Sequence, residues 1–297
     1  MPAPAIPTAL LDRYALVTGA RGARSGERSA REAGHSVEFL DYRAYQPGDE
    51  PRAVDWRAYA RSGRLYTRLY HAERAADLHV LLDTSPSMRL HGKRRYAAAA
   101  ARVVAGLSRH EASAKVHLLD GRSSPTAHGR GDVGTLWRFV DDAPETPVDP
   151  DVPLVRQLTT RVLSLPTHRG AAALVVLSDL LDPAPLQPLL AAARARRIEL
   201  LFVQTLARAE REPVPGRLEL VDVEDGAVIE VGPDEARAYR DAVRSFIARL
   251  RSEIVSAGQR HVLLEVPPAA AEDATPVGEL ERDAFAGLVR AGVVARR

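Results

Sequence analysis

The sequence predicts an α/β fold, a mostly parallel sheet with helices on both of its faces. Three observations carry that expectation. Apolar runs of strand length recur at 78–82, 171–177 and 198–205. Each is followed by a longer stretch whose apolar residues fall at helical spacing. The runs are almost wholly apolar rather than alternating, as in strands buried on both faces.

The elements follow in order. A short helix is expected at Thr8–Val17, then Gly/Arg/Ser-rich loop to about residue 36. Residues 37–76 differ in character. Tyr and Arg recur in Asp41-Tyr42-Arg43-Ala44-Tyr45 and in Asp55-Trp56-Arg57-Ala58-Tyr59, with turn chemistry at Pro47-Gly48-Asp49 between them. Arg64–Tyr70 reads as a strand. From Asp77 the pattern becomes strand, helix, strand, helix. Strand 78–82 leads to a helix at 94–107 with Val103, Val104 and Leu107 on one face, then strand 115–119. A short helix near Gly134 carries Leu136, Trp137, Phe139 and Val140. A Pro/Asp-rich loop spans 141–153, and a helix is expected over 154–165. Strand 171–177, helix 185–197 and strand 198–205 come next.

Residues 208–232 interrupt this rhythm. Asp225-Gly226 between two β-favouring runs signals an inserted hairpin. A long helix at 233–257, a strand at 262–266 and a helix at 279–291 complete the chain. The expected division is an N-terminal segment, 1–76, and a larger α/β domain, 77–297.

Composition narrows the function. There are no cysteines, which excludes disulfides, thiolate metal sites and cysteine nucleophiles. No apolar run is long enough to span a membrane, the N-terminus lacks a secretory pattern, and a cytoplasmic location is expected. The net charge is only +2, and acids are interspersed with the arginines nearly everywhere. The exception is the basic stretch from Arg13 to Arg31, in which Glu27 is the one acid. It reads as a solvated arm, with binding to nucleic acid as the alternative. Gly129-x-Gly131-x-x-Gly134 follows a polar loop rather than a strand, so it is not read as a dinucleotide site.

The pattern that carries chemistry is Asp83-x-Ser85-x-Ser87, directly after a buried strand. A carboxylate and two hydroxyls at alternate positions offer oxygen ligands to a hard cation such as Mg²⁺, which prefers octahedral oxygen and keeps some water. Asp179 also follows a buried strand. In an open sheet both acids belong at the edge where ligands bind. The plainer reading is a strand-to-helix loop capped by its own Asp and Ser.

Residues 83–88, Asp-Thr-Ser-Pro-Ser-Met, resemble the metal-ion-dependent adhesion site of von Willebrand factor A domains. The whole chain, from about residue 20 to 295, resembles the bacterial "domain of unknown function 58" family. The residues that carry this run from Glu38 to Arg52, including Tyr42, Arg43, Tyr45, Gly48, Asp49 and Arg52, and from Val54 to Leu65, including Asp55, Trp56 and Arg61. Residues 176–181 and 220–226 fit too.

The resemblance implies a von Willebrand A-like sheet, with Asp83, Ser85 and Ser87 as the first metal loop and Asp179 as the third. It implies a MoxR-type AAA ATPase as partner, together with a protein client, and a partner carboxylate that completes the metal shell. The second loop departs from the pattern. Where a Gly-x-Thr is expected, the chain offers Thr146, Asp149 or Asp151. The Tyr/Arg/Trp segment is expected to be a structural strap in which Trp56 and Tyr59 bury their rings and Arg52 and Arg57 pair with Asp55. A partner-binding surface is the alternative. The expected function is non-enzymatic, metal-assisted protein–protein interaction in protein maturation or complex assembly. The alternatives are a metal-dependent phosphoester hydrolase and an Arg-rich nucleic-acid binder.

Overall fold

The computed structural model of the chain describes residues 6–18, 39–46, 54–70, 77–129, 132–144, 152–166, 172–212, 218–221 and 228–297. Its strands are β1 (Tyr14–Leu16), β2 (Phe39–Ala44), β3 (Tyr66–Tyr70), β4 (Asp77–Leu82), β5 (Ser113–Leu118), β6 (Ala172–Ser178), β7 (Ile198–Ala207), β8 (Leu218–Val221), β9 (Val228–Val231), β10 (Arg260–Val266) and β11 (Val294–Arg296). Its helices are α1 (Thr8–Leu11), α2 (Trp56–Ser62), α3 (Lys93–Leu107), α4 (Val133–Asp141), α5 (Leu154–Ser164), α6 (Gln187–Arg196), α7 (Arg208–Arg211), α8 (Pro233–Ser256) and α9 (Val277–Arg290).

Two compact units divide the chain: residues 1–20 with 76–297, and residues 21–75. The larger unit holds a five-stranded sheet in the order β10-β7-β6-β4-β5, every neighbouring pair parallel. The apolar runs form this sheet because both faces are covered. On β4, Leu78, Val80 and Leu82 face one core with α3 and α9, while Leu81 faces a second core with α5, α6 and α8. On β7, Leu201 and Val203 take the first side and Leu200 and Phe202 the second. The two-residue period of a strand puts alternate side chains into different cores, so a continuous apolar run is required.

The sheet order places a topological switch between β4 and β6. After β4 the chain turns to α3 on the first face. After β6 it turns to α6 on the second. The two loops therefore diverge and leave a crevice at the carboxyl ends of these neighbouring strands, where open α/β sheets bind ligands.

The N-terminus differs from the sequence expectation. The helix is only Thr8–Leu11, and Tyr14–Leu16 is instead a strand paired antiparallel with Val294–Arg296. Ile6, Leu11 and Leu16 are buried in the first core, which ties these residues to the larger unit rather than to residues 21–75. Over 208–232, β8 and β9 pair antiparallel from Leu218↔Val231 to Val221↔Val228, preceded by α7. The expected turn at Asp225-Gly226 lies outside the described residues.

In the smaller unit, β2 and β3 pair antiparallel, and Val54 bridges Thr67. The Asp55 carboxylate accepts from the backbone N–H groups of Arg57 and Ala58 at 3.0 Å and caps α2. Here the strap expectation is corrected for the two rings, while its pairing of Arg52 with Asp55 lies outside the described residues. Trp56 and Tyr59 are 58% and 45% exposed, and α2 buries no residue. The Asp55 carboxylate meets backbone donors there, because a capping carboxylate at a helix start faces the free N–H groups of the first turn. Tyr42 lies in β2, Arg43 and Tyr45 are half-buried, and Arg61 is exposed on α2. Gly48, Asp49 and Arg52 lie outside the described residues.

Candidate functional site

Asp83 and Asp179 stand at the crevice the switch creates. Register Leu82↔Leu177 puts them at the ends of adjacent strands, and the Asp83 N–H extends the ladder to the Leu177 carbonyl at 2.9 Å. Asp83 is completely buried. Its Oδ1 accepts from the Ser85 N–H at 2.9 Å, and its Oδ2 accepts from the Ser178 hydroxyl at 2.5 Å. Burial, then the neighbouring Asp179 charge, push the Asp83 carboxyl up to about 6, against the hydrogen bonds from Ser178 and Ser85 that hold it down. Ser85 and Ser87 lie on the same loop with their hydroxyl oxygens 3.1 Å apart.

Asp179 is held from three directions. Its carbonyl accepts from Gln204 Nε2 at 2.8 Å, and its Oδ1 accepts from the Leu181 N–H at 3.3 Å. Its Oδ2 accepts from Lys93 Nζ at 2.8 Å. Gln204 in turn offers its Oε1 to His261 Nε2 at 3.0 Å, so that nitrogen carries the ring proton. The loop turns sharply here: Leu180 has a φ of 52°, uncommon outside glycine.

Lys93 is the residue that sequence reasoning missed. It is fully buried at the start of α3 and also binds Glu210 of α7. Burial pulls the ammonium down, but the charges of Asp179 and Glu210 outweigh it, and its pKa ends above the ordinary lysine value. The Glu210 carboxylate also accepts from the Ala207 N–H at 2.9 Å, which fixes α7 at the end of β7. Gly92 sets where Lys93 begins. Its φ is 73°, and a Cβ there would lie 2.3 Å from the Ala270 carbonyl. One signal for Lys93 was present: it is one of two lysines in a chain with 41 basic residues. An ammonium packs its charge into a smaller volume than a guanidinium does.

The donor set can be weighed against a cation. Asp83, Ser85, Ser87 and Asp179 offer only oxygen, as a hard divalent ion requires. With all groups ionised, Asp179 and Glu210 share one ammonium and Asp83 lies beside Asp179 with its own charge, an excess of two negative charges among these groups that one divalent ion would balance. Asp83 itself has no basic partner among the described residues. Two observations limit the set. Among the described residues no cluster of three or more His, Cys, Asp or Glu is placed to hold a metal. Lys93 already takes one oxygen of Asp179. The residues therefore fit a cation held chiefly through Asp83, Ser85 and Ser87, with water or a partner filling much of its shell. The second-loop candidates Thr146, Asp149 and Asp151 lie outside the described residues.

His79 Nδ1 and His117 Nε2 are 3.0 Å apart on β4 and β5, and His117 Nδ1 meets the Ser123 hydroxyl at 2.8 Å. Among the described residues no helix is long and apolar enough to cross a membrane.

The chain is 29% identical over 243 residues to the uncharacterized protein Rv1480 of Mycobacterium tuberculosis and to the uncharacterized protein Mb1516 of Mycobacterium bovis, covering 78% of this chain and 74% of each relative. Among solved structures, an aerotolerance-related membrane protein from Bacteroides fragilis aligns with a TM-score of 0.39 and 11% identity, over 72% of this chain and 99% of that one. The model of "Protein of unknown function DUF58" matches residues 41–253, more than half of the sequence, and the chain belongs to that family.

Proposed function

We propose that this protein is a non-enzymatic, metal-assisted interaction module. In this reading Mg²⁺ is held by Asp83, Ser85 and Ser87 with Asp179 alongside, and it supplies an open coordination position for an acidic side chain of a partner. The observation that carries the reading is the excess of buried negative charge at the switch-point crevice, with Asp83 lacking a basic partner among the described residues. The von Willebrand A-like arrangement and a MoxR-type AAA ATPase as partner, acting on a protein client in maturation or assembly, belong to the same proposal.

The chain's own residues do three things in this account. Ser178 and the Ser85 N–H fix the Asp83 carboxylate and keep it ionised despite its burial. Lys93 pairs with both Asp179 and Glu210 and so offsets part of their charge before any cation arrives. Gln204 anchors the backbone of Asp179 and hence the second loop. A carboxylate that is fully buried and bonded at both oxygens makes a fixed ligand and a poor base for a substrate in solution, which favours binding over turnover.

The test is binding of the MoxR-type ATPase from the same genome to immobilised protein, with Mg²⁺ and with chelator, for wild type and Asp83→Ala. The proposal expects binding that is lost in chelator and lost in the variant. Equal recovery in all four conditions rules out a coordinated contact. Turnover of a generic phosphoester that Asp179→Ala abolishes would replace the reading with a hydrolase.

A further inference from the structure

We infer that the exposed face of α2 in the smaller unit is a docking surface for an acidic segment of a partner protein, separate from the carboxylate crevice. Five residues carry this. Trp56 and Tyr59 stand out at 58% and 45% exposure, their rings edge to face with centroids 6.4 Å apart. Arg57, Arg61 and Arg64 are all exposed, and none of their guanidinium groups has a hydrogen-bond or ion-pair partner among the described residues. The nearby acid, Asp55, is buried, and its carboxylate is committed to capping the helix. Two cations without a partner among the described residues, Arg57 and Arg61, therefore share α2 with two exposed rings, and a third, Arg64, follows its C-cap Gly63; the helix buries no residue.

Charge complementarity calls for an anion, and the local shape says which kind. A shallow hollow of about 240 Å³ lies beside the helix, lined by Ala58, Arg61, Ser62 and Tyr66. That is smaller than the roughly 300–1,000 Å³ usual for sites that enclose a drug-sized ligand. It suits one Glu or Asp side chain reaching the Arg61 guanidinium, a charge-assisted pairing. Trp, Tyr and Arg are also the residues that dominate protein–protein contact energies, and the two rings offer an apolar platform beside the charges. A single-stranded nucleic acid would use the same residue types by stacking, but it needs a continued basic track rather than one small hollow.

The full-length chain is tested with a short labelled oligo-glutamate peptide, an oligo-lysine control and an oligo-dT of equal length, at low and high salt. A Trp137→Phe background leaves Trp56 as the remaining tryptophan reporter. We expect the acidic peptide to bind and to change Trp56 emission, with binding weakened by salt. Arg61→Ala should weaken it about tenfold, and Arg57→Glu with Arg61→Glu should abolish it. These residues are exposed and have no partner among the described residues, so the variants should keep the wild-type unfolding midpoint. Equal peptide binding by wild type and the double variant overturns the inference. So does tighter binding of oligo-dT that the same variants abolish, which would make the face a nucleic-acid site. Trp56 emission shielded from acrylamide in the free protein would also overturn it, because the face would then be covered by the chain itself.

Discussion

Replacing Lys93 with Met tests whether the crevice depends on its internal ammonium. The side chain is fully buried and holds Asp179 and Glu210 at once. Met keeps the bulk and removes the charge, which strands two carboxylates that were paired. Breaking a buried pair by removing one partner costs about 3–5 kcal/mol. The lower end applies here, because the Glu210 side chain is 11% exposed and sits on a four-residue helix that can turn it to water. Asp179, at 4% side-chain exposure, has no such escape. Urea unfolding followed by circular dichroism at pH 7 should therefore show a loss of about 3 kcal/mol. The gap to wild type should narrow in acid, as protons neutralise the stranded carboxylates. A loss below about 1 kcal/mol at pH 7, the range of exposed ion pairs, would refute the reasoning.

Other expectations follow from the same geometry. Ser178→Ala removes the hydroxyl that donates to Asp83 Oδ2 and should destabilise the fold by about 1.5–3 kcal/mol, measured by urea unfolding, as expected for a bond to a charged group. Gly92→Ala should be strongly destabilising in a thermal melt, because the φ of 73° strains the new residue and its Cβ meets the Ala270 carbonyl. Burial, helped by the His79 and Arg161 charges among others, lowers His117 to about 3, and burial with Arg251 lowers His261 to about 4. Both are neutral when folded and take up protons more readily when unfolded. Their stability contribution is full above about pH 6.5 and is lost as pH falls toward 4. A pH series of unfolding midpoints for wild type and His261→Gln should show a smaller acid loss in the variant.

The sheet was legible because burial on both faces forces its strands to be apolar throughout, as at 78–82 and 171–177. The meeting of Asp83 and Asp179 was legible for a related reason: each follows such a run, and parallel neighbours end on one edge. The pair β1–β11 was hidden, since three-residue strands leave no pattern to read. Helix α2 was hidden because it buries nothing, and a helix with no apolar stripe has no helical period. The Lys93–Glu210 contact joins residues 117 apart in the chain, and Glu210 sits in a short helix where only a hairpin was expected.

The most direct measurement is calorimetric titration of Mg²⁺ into the metal-free protein, wild type beside Asp83→Ala, with thermal unfolding in parallel. The account predicts one binding event per chain, absent in Asp83→Ala. It also predicts stabilisation of wild type by about 1.4 kcal/mol once free Mg²⁺ exceeds the dissociation constant about tenfold. An identical absence of heat and of stabilisation in both proteins would show that the crevice takes up no Mg²⁺, and the metal-assisted contact would be withdrawn.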